Sequence, residues 1–91
     1  MTFDPEKVND FLSLFNNYKV QIRNQAGCTH LELLQDYKKE NVYSTYSHWK
    51  NEEDLNNYRN SETFGKVWPA TKSLFIDKPV AHSYIVKDRI A

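Results

Sequence analysis

"SHWKNEEDLNNYRNSETFGKVW" occupies residues 47–68 and carries the chain from a strand into helix. Asn51, followed by Glu52, Glu53 and Asp54, reads as an N-cap with an acidic first turn, where the helix dipole favours negative charge. The helix that follows carries Leu55 and Tyr58 on one face. Ser61 is a second cap, and Phe64, Val67, Trp68, Thr71 and Phe75 recur beyond it at helical spacing. Pro69 removes one backbone donor and bends the axis, so two consecutive helices and one broken helix fit equally well. Trp49, Tyr58, Phe64 and Trp68 are large rings set among residues that belong in water. Those rings either fill a core or wall a small-molecule site.

Upstream, "VYSTYSHW" is rich in aromatic and β-favouring residues and predicts a strand over Val42 to Trp49. Its alternation puts Tyr43, Thr45, Ser47 and Trp49 on one side and Val42, Ser44, Tyr46 and His48 on the other. "CTHLELLQ" alternates in the same way, with Thr29, Leu31 and Leu33 opposed to Cys28, His30, Glu32 and Leu34, and "DYKKEN" joins the two strands as a hairpin. Before them, "DPEKVNDFLSLFNNYKVQIRNQAG" carries a helix signature: Asp4 as N-cap, Pro5 at the first helical position and Glu6 in the first turn. Val8, Phe11, Leu12, Phe15, Tyr18 and Ile22 then form one apolar stripe, and Gly27 supplies the stop. Downstream, "VAHSYIV" predicts a last strand over Val80 to Val86, followed by a charged tail.

The order helix, strand, strand, helix, strand is an α+β pattern with helices on one face of an antiparallel sheet. Both sheet faces carry aromatic or apolar groups. The helices of one chain cover only one of them, so the other face is expected to meet a second copy.

Ninety-one residues suit one domain, 1–91, and a domain of this size buries only about 60 to 65% of its unfolded surface, which favours self-association. Twelve Lys and Arg balance twelve Asp and Glu. Their interleaving leaves no electrostatic footprint for nucleic acid or for an anionic membrane. A single Cys excludes an intramolecular disulfide or a Cys-based zinc site and fits a reducing compartment. "MTFDPEKVND" lacks the basic and apolar regions of a signal peptide, so a cytoplasmic location is expected.

The spacing from Trp49 through Leu55, Tyr58, Arg59, Ser61, Phe64, Trp68 and Lys72 to Leu74 and Phe75 resembles the antibiotic biosynthesis monooxygenase (ABM) domain family. "RNQAGCTHLELLQD" is similar to that family's passage from the first helix into the second strand. The resemblance implies a ferredoxin-like βαββαβ unit that pairs into a dimeric α+β barrel, with a ligand cavity between sheet and helices. It implies a homodimer acting on a small aromatic or quinone-like ligand as a cofactor-free oxygenase, or a non-catalytic binding or dimerisation module of the same fold. Such families begin with a strand of ordinary length, of which only Met1 to Phe3 stand here, so the first strand is expected to be truncated. That strand is central in the ferredoxin-like order, so its shortness should leave ladder groups of its neighbours unpaired. Haem-degrading relatives carry an Asn on the first strand and a Trp and an iron-ligating His on the helix. The Asn position is absent here, and Tyr58 and Trp68 stand where the Trp and His would be, so the axial imidazole is missing.

Cofactor-free oxygenation needs a site that binds a flat ring, takes a proton and excludes water. His30 and His82 are the candidate proton acceptors, since an imidazole titrates near neutrality. Their alternation, with that of Tyr84, sets them in strands that could be adjacent. Tyr58, Trp68, Trp49, Tyr46, Phe64 and Tyr84 are the candidate substrate-binding rings. His48 sits at a strand end. The three histidines lack the spacing of a metal site, and neither metal nor cofactor is expected.

Overall fold

Asp4 starts the first helical segment as its side chain predicts: the carboxylate accepts a hydrogen bond from the Glu6 amide at 3.0 Å, and Pro5 opens a single 3₁₀ turn, Pro5–Lys7. The computed structural model describes residues 1–90. Helix α1, Val8–Arg23, follows directly and buries Phe11 and Ile22. Gly27 ends the connection with φ +83°, a left-handed conformation that costs other residues a Cβ clash. A Cβ there would also run into the Asp54 side chain. Gly27 is therefore required both by its backbone and by what packs on it.

Strands β1, Cys28–Gln35, and β2, Tyr43–Trp49, form the expected antiparallel hairpin. Leu31 lies opposite Ser47, Leu33 opposite Thr45 and Gln35 opposite Tyr43, while the register shifts between Cys28 and His30. That bulge corrects the strict alternation: Cys28 is buried and pairs opposite Trp49, on the helix side, while Thr29 is exposed. The hairpin turn is held by Asp36, whose carboxylate accepts the amides of Lys38 and Lys39 at 2.8 and 2.9 Å. The Lys38 amide first, and then that of Lys39, hold this carboxyl below the usual range.

The helical region resolves into two helices, α2, Glu52–Arg59, and α3, Glu62–Lys72. Both predicted caps form: Asn51 accepts from the Asp54 amide at 2.8 Å, and Ser61 from the Phe64 amide at 3.1 Å. Ser61 is extended (φ −79°, ψ 159°), and this is where the helix breaks. Pro69 lies inside α3 without ending it. The helix stops at Lys72, so Phe75 does not extend the α3 stripe; it lies in a bridge with Phe3.

Met1–Phe3 stand in the position of the first strand. Thr2 bridges Val42 and Phe3 bridges Phe75. The Ile76 amide donates to the Thr2 carbonyl at 3.0 Å. The order across the sheet is therefore β1, β2, Met1–Phe3, then the residues around Phe75, which is the ferredoxin-like order with a first strand three residues long.

The predicted strand over Val80–Val86 does not form; residues 78–90 have no regular structure. Phe75 pairs with Phe3, so antiparallel continuation brings Ile76 and Asp77 alongside Thr2 and Met1, and Val80–Val86 lie beyond that pairing.

The core is a ring cluster centred on Phe3, which is 0% exposed. Phe3 stacks on Phe11 at 4.0 Å between centroids, with Phe75 at 5.2 Å and Tyr43 at 6.1 Å. Leu12, Phe15, Leu33 and Leu74 close around it. No helix among the described residues is long and apolar enough to cross a membrane.

Candidate functional site

The aromatic residues of residues 47–75 form one continuous series of ring contacts on the helix side of the sheet. Trp49, at the end of β2, stacks on Tyr58 of α2 at 5.3 Å. Tyr58 meets Phe64 edge-on at 5.2 Å, Phe64 stacks on Trp68 at 5.8 Å, and Trp68 meets Phe75 at 5.8 Å. Phe75 then contacts Phe3, and Phe3 contacts Tyr43 at the start of β2. The rings thus leave one end of β2, pass through α2 and α3, and return to its other end. Trp49, Tyr58, Phe64 and Trp68 are all only partly buried.

The β2 edge that this arc spans is open. Tyr43 exchanges hydrogen bonds with Met1 in both directions at 2.9 Å, which turns its backbone groups away from β1. Alternation turns those of Thr45, Ser47 and Trp49 the same way. Among the described residues none of the three has a backbone partner on that side. The ladder groups expected to be orphaned by a short first strand are these.

Among Trp49, Tyr58, Phe64 and Trp68, Tyr58 alone carries a hydroxyl. Burial first, and then negative charge at the neighbouring Cys28, push its phenol up from the ordinary 10 to about 12. At neutral pH Tyr58 is a hydrogen-bond donor and not a base. Trp49 satisfies its indole N–H on the Ser47 hydroxyl at 3.0 Å, which fixes the ring against Tyr58. The buried Cys28 keeps a free thiol, and its carbonyl accepts from Arg23 Nη1 at 2.6 Å.

The other sequence candidates lie elsewhere. His30 and Tyr46 are on the opposite face of the sheet, where His30 Nε2 pairs with the Glu32 carboxylate. His48 Nε2 meets the Tyr46 hydroxyl at 2.8 Å, and the two imidazole rings lie 4.9 Å apart across the strands. His82 and Tyr84 are in the extended tail, 6.1 Å from each other, and not beside His30. The structure therefore gathers Trp49, Tyr58, Phe64 and Trp68, sets His30 with Tyr46 on the far face, and leaves His82 and Tyr84 apart from both groups. Glu32 and His48 belong to the far-face cluster although sequence reasoning did not single out the pair. Their signal is the hairpin register, which puts His30 opposite His48. No group of three or more His, Cys, Asp or Glu among the described residues is placed to hold a metal ion.

Two shallow clefts flank α1. One, of about 280 Å³, lies between α1 and β1 and is lined by Phe15, Lys19, Val20, Arg23, Leu31 and Leu33 among others. The other, of about 500 Å³, lies beside the hairpin turn, with Leu12, Gln35, Tyr37 and Asn41 in its wall. Neither is enclosed; the second reaches Tyr43, and neither is lined by Trp49, Tyr58, Phe64 or Trp68.

The chain is similar in fold to solved structures at low sequence identity. A conserved protein from Methanosarcina mazei Go1 superposes with a TM-score of 0.81 at 21% identity, over 85% of this chain and 76% of the other. An antibiotic biosynthesis monooxygenase superposes at 0.79 with 18% identity, over 85% and 81%. A candidate antibiotic biosynthesis monooxygenase from Caulobacter crescentus CB15 reaches 0.82 with 20% identity, over 88% and 76%. These likenesses establish the fold alone. No curated protein sequence matches the chain. The sequence pattern of the antibiotic biosynthesis monooxygenase family matches residues 1–68, three quarters of the chain and all of the arc except Phe75, and the chain belongs to that family.

Proposed function

We propose that this protein is a cofactor-independent monooxygenase for a small aromatic or quinol-type compound, bound on the helix side of the sheet against Trp49, Tyr58, Phe64 and Trp68. The observation that carries this reading is the arc itself: four partly uncovered rings with one phenol kept protonated among them. Stacked rings offer a flat apolar surface. The Tyr58 hydroxyl, neutral at physiological pH, donates a hydrogen bond to a phenolate or ketone oxygen and so favours loss of a proton from the substrate.

For an anthrone-type substrate the reaction balances without external reductant. Removal of one proton from the ring CH₂ leaves a carbanion, which transfers its electrons to dioxygen and forms a carbon–oxygen bond. The resulting hydroperoxide loses water, so one oxygen atom becomes the new carbonyl and the other leaves with the two former C–H hydrogens. The free, buried Cys28 fits the reducing, cytoplasmic setting proposed for the chain.

One observation favours the non-catalytic alternative. The imidazoles of His30 and His48 face away from the arc, and the ring contact of His82 is with Tyr84 and not with the arc. A binding module would hold the ring without taking its proton. Oxygen uptake with anthrones and quinols, with and without added flavin, separates the two. The oxygenase reading predicts flavin-independent uptake that Tyr58→Phe and Trp68→Ala reduce; binding of the same compounds with no uptake would establish the module.

A further inference from the structure

Lys19 and Arg23 stand one turn apart on one face of α1, and both line the cleft of about 280 Å³ between α1 and β1. Neither forms an ion pair among the described residues. No Asp or Glu lines the cleft; Glu32, between Leu31 and Leu33 in sequence, is turned to the far face and pairs with His30. Much of the remaining wall is apolar, with Phe15 from α1, Leu31 and Leu33 from β1, and Val20, which is 62% exposed. We propose that this cleft binds a small organic carboxylate, its charge on Arg23 and Lys19 and its apolar body of one or two rings against Phe15, Leu31 and Leu33.

Three features separate this pair of cations from ordinary solvated ones. Arg23 is already held in place: its Nη1 donates to the Cys28 carbonyl at 2.6 Å, which ties the end of α1 to the start of β1. A guanidinium fixed in this way loses less freedom when it takes a ligand. The carbonyls that would oppose an anion at the C-terminal end of a helix are occupied. Val20 accepts from the Asn24 amide at 3.0 Å, Ile22 from the Gln25 amide at 3.1 Å, and Gln21 from Gln25 Nε2 at 3.1 Å. The apolar floor is firm as well, because Phe15 and Leu33 pack on the core cluster of Phe3, Phe11 and Tyr43.

The same features select the ligand. The volume lies at the low end of small-molecule pockets, about 300–1,000 Å³, and suits one or two rings rather than a long acyl chain. The planar fork of Arg23 matches the two oxygens of a carboxylate. A phosphate site commonly draws on a helix N-terminus or a run of backbone amides, whereas α1 presents its C-terminal end here. None of Trp49, Tyr58, Phe64 and Trp68 lines the cleft, so this site stands independently of the oxygenase reading.

The test titrates the full, isotope-labelled chain with naphthoate and follows its amide resonances. The expected result is saturable shifts at Lys19, Val20, Leu31 and Leu33, with a dissociation constant below about 1 mM. Naphthalenemethanol, which keeps the rings and lacks the charge, should bind about tenfold more weakly. Arg23→Gln should weaken naphthoate about tenfold and Lys19→Gln about threefold, with the alcohol unaffected by Lys19→Gln. Because Arg23→Gln also removes the bond to the Cys28 carbonyl, Lys19→Gln is the decisive variant. No saturable shift, shifts confined to Trp49, Tyr58 and Trp68, equal affinity for the alcohol, or indifference to Lys19→Gln would overturn the site. Naphthyl phosphate binding more than about tenfold tighter than naphthoate would overturn the choice of carboxylate. An affinity that falls as protein concentration rises would overturn the proposal in favour of a second copy seated in the cleft.

Discussion

Replacing Phe3 by alanine tests whether three residues can do the work of a first strand. Phe3 is fully buried and has three ring partners, Phe11 at 4.0 Å, Phe75 at 5.2 Å and Tyr43 at 6.1 Å. Its backbone is tied as well, with its amide on the Asn41 carbonyl at 2.9 Å and its carbonyl accepting from Asn41 Nδ2 at 2.8 Å. Those backbone bonds survive the substitution, so the loss reports the ring. Buried Phe to Ala costs about 3–5 kcal/mol. Aromatic pairing adds about 0.5–1.5 kcal/mol per pair beyond area, which places Phe3→Ala at the upper end. A domain of this length has a total stability of about 5–14 kcal/mol, so the variant should be near the limit of folding. Urea unfolding followed by far-UV circular dichroism, at fixed protomer concentration so that association does not shift the midpoint, gives the difference. Tyr37→Ala, at a residue that is 100% exposed, serves as the control and should change stability by about 0.5 kcal/mol or less. A loss below about 1.5 kcal/mol in Phe3→Ala, set against the range for buried Phe, would refute the reasoning. The centre of the core would then lie in α1 and the hairpin, with the amino-terminal segment merely resting on them.

Gly27→Ala should cost about 2 kcal/mol or more, since φ +83° strains a Cβ and the Asp54 side chain occupies its place; thermal unfolding measures it, and a neutral result would mean that the loop rearranges freely. Asn51→Ala and Ser61→Ala should each cost about 1 kcal/mol through the lost caps on the Asp54 and Phe64 amides, read from denaturant midpoints. Tyr58 binds its proton more tightly folded than unfolded, because its phenol rises from 10 to about 12. The stability it contributes is therefore complete below pH 10 and lost as pH rises from 10 through 12, on the order of 1 kcal/mol once solvent screening of the partly exposed ring is allowed for. Ultraviolet titration of the tyrosines should show one late phenol that Tyr58→Phe removes, and in that variant the alkaline fall in stability should be shallower by that amount.

Local chemistry was legible wherever one residue decides one bond. Asp4, Asn51 and Ser61 cap the segments their side chains announce, and the α1 stripe at Phe11, Leu12 and Phe15 faces the core, because caps and helical spacing act within a single turn. Strict alternation puts Cys28 on the wrong face because a one-residue bulge moves every residue before it, and the bulge follows from pairing with β2 rather than from the β1 sequence. Alternation already sets Tyr46 on the opposite side of β2 from Trp49, but not His30 on the same far face, because alternation alone does not pair the two strands. That separation depends on which face the helices cover.

Val80–Val86 is the most instructive departure. Its alternation is a sound strand signal, and the residues that carry it are as strand-prone as those of β2. A strand, however, is a relation between two backbones, and propensity describes only one of them. Phe75 and the residues after it pair along Met1–Phe3, and Val80–Val86 lie beyond that pairing, with the composition of a strand and no backbone partner among the described residues. A backbone brought alongside the tail, and not a change in its side chains, is therefore what should turn Val80–Val86 into a strand.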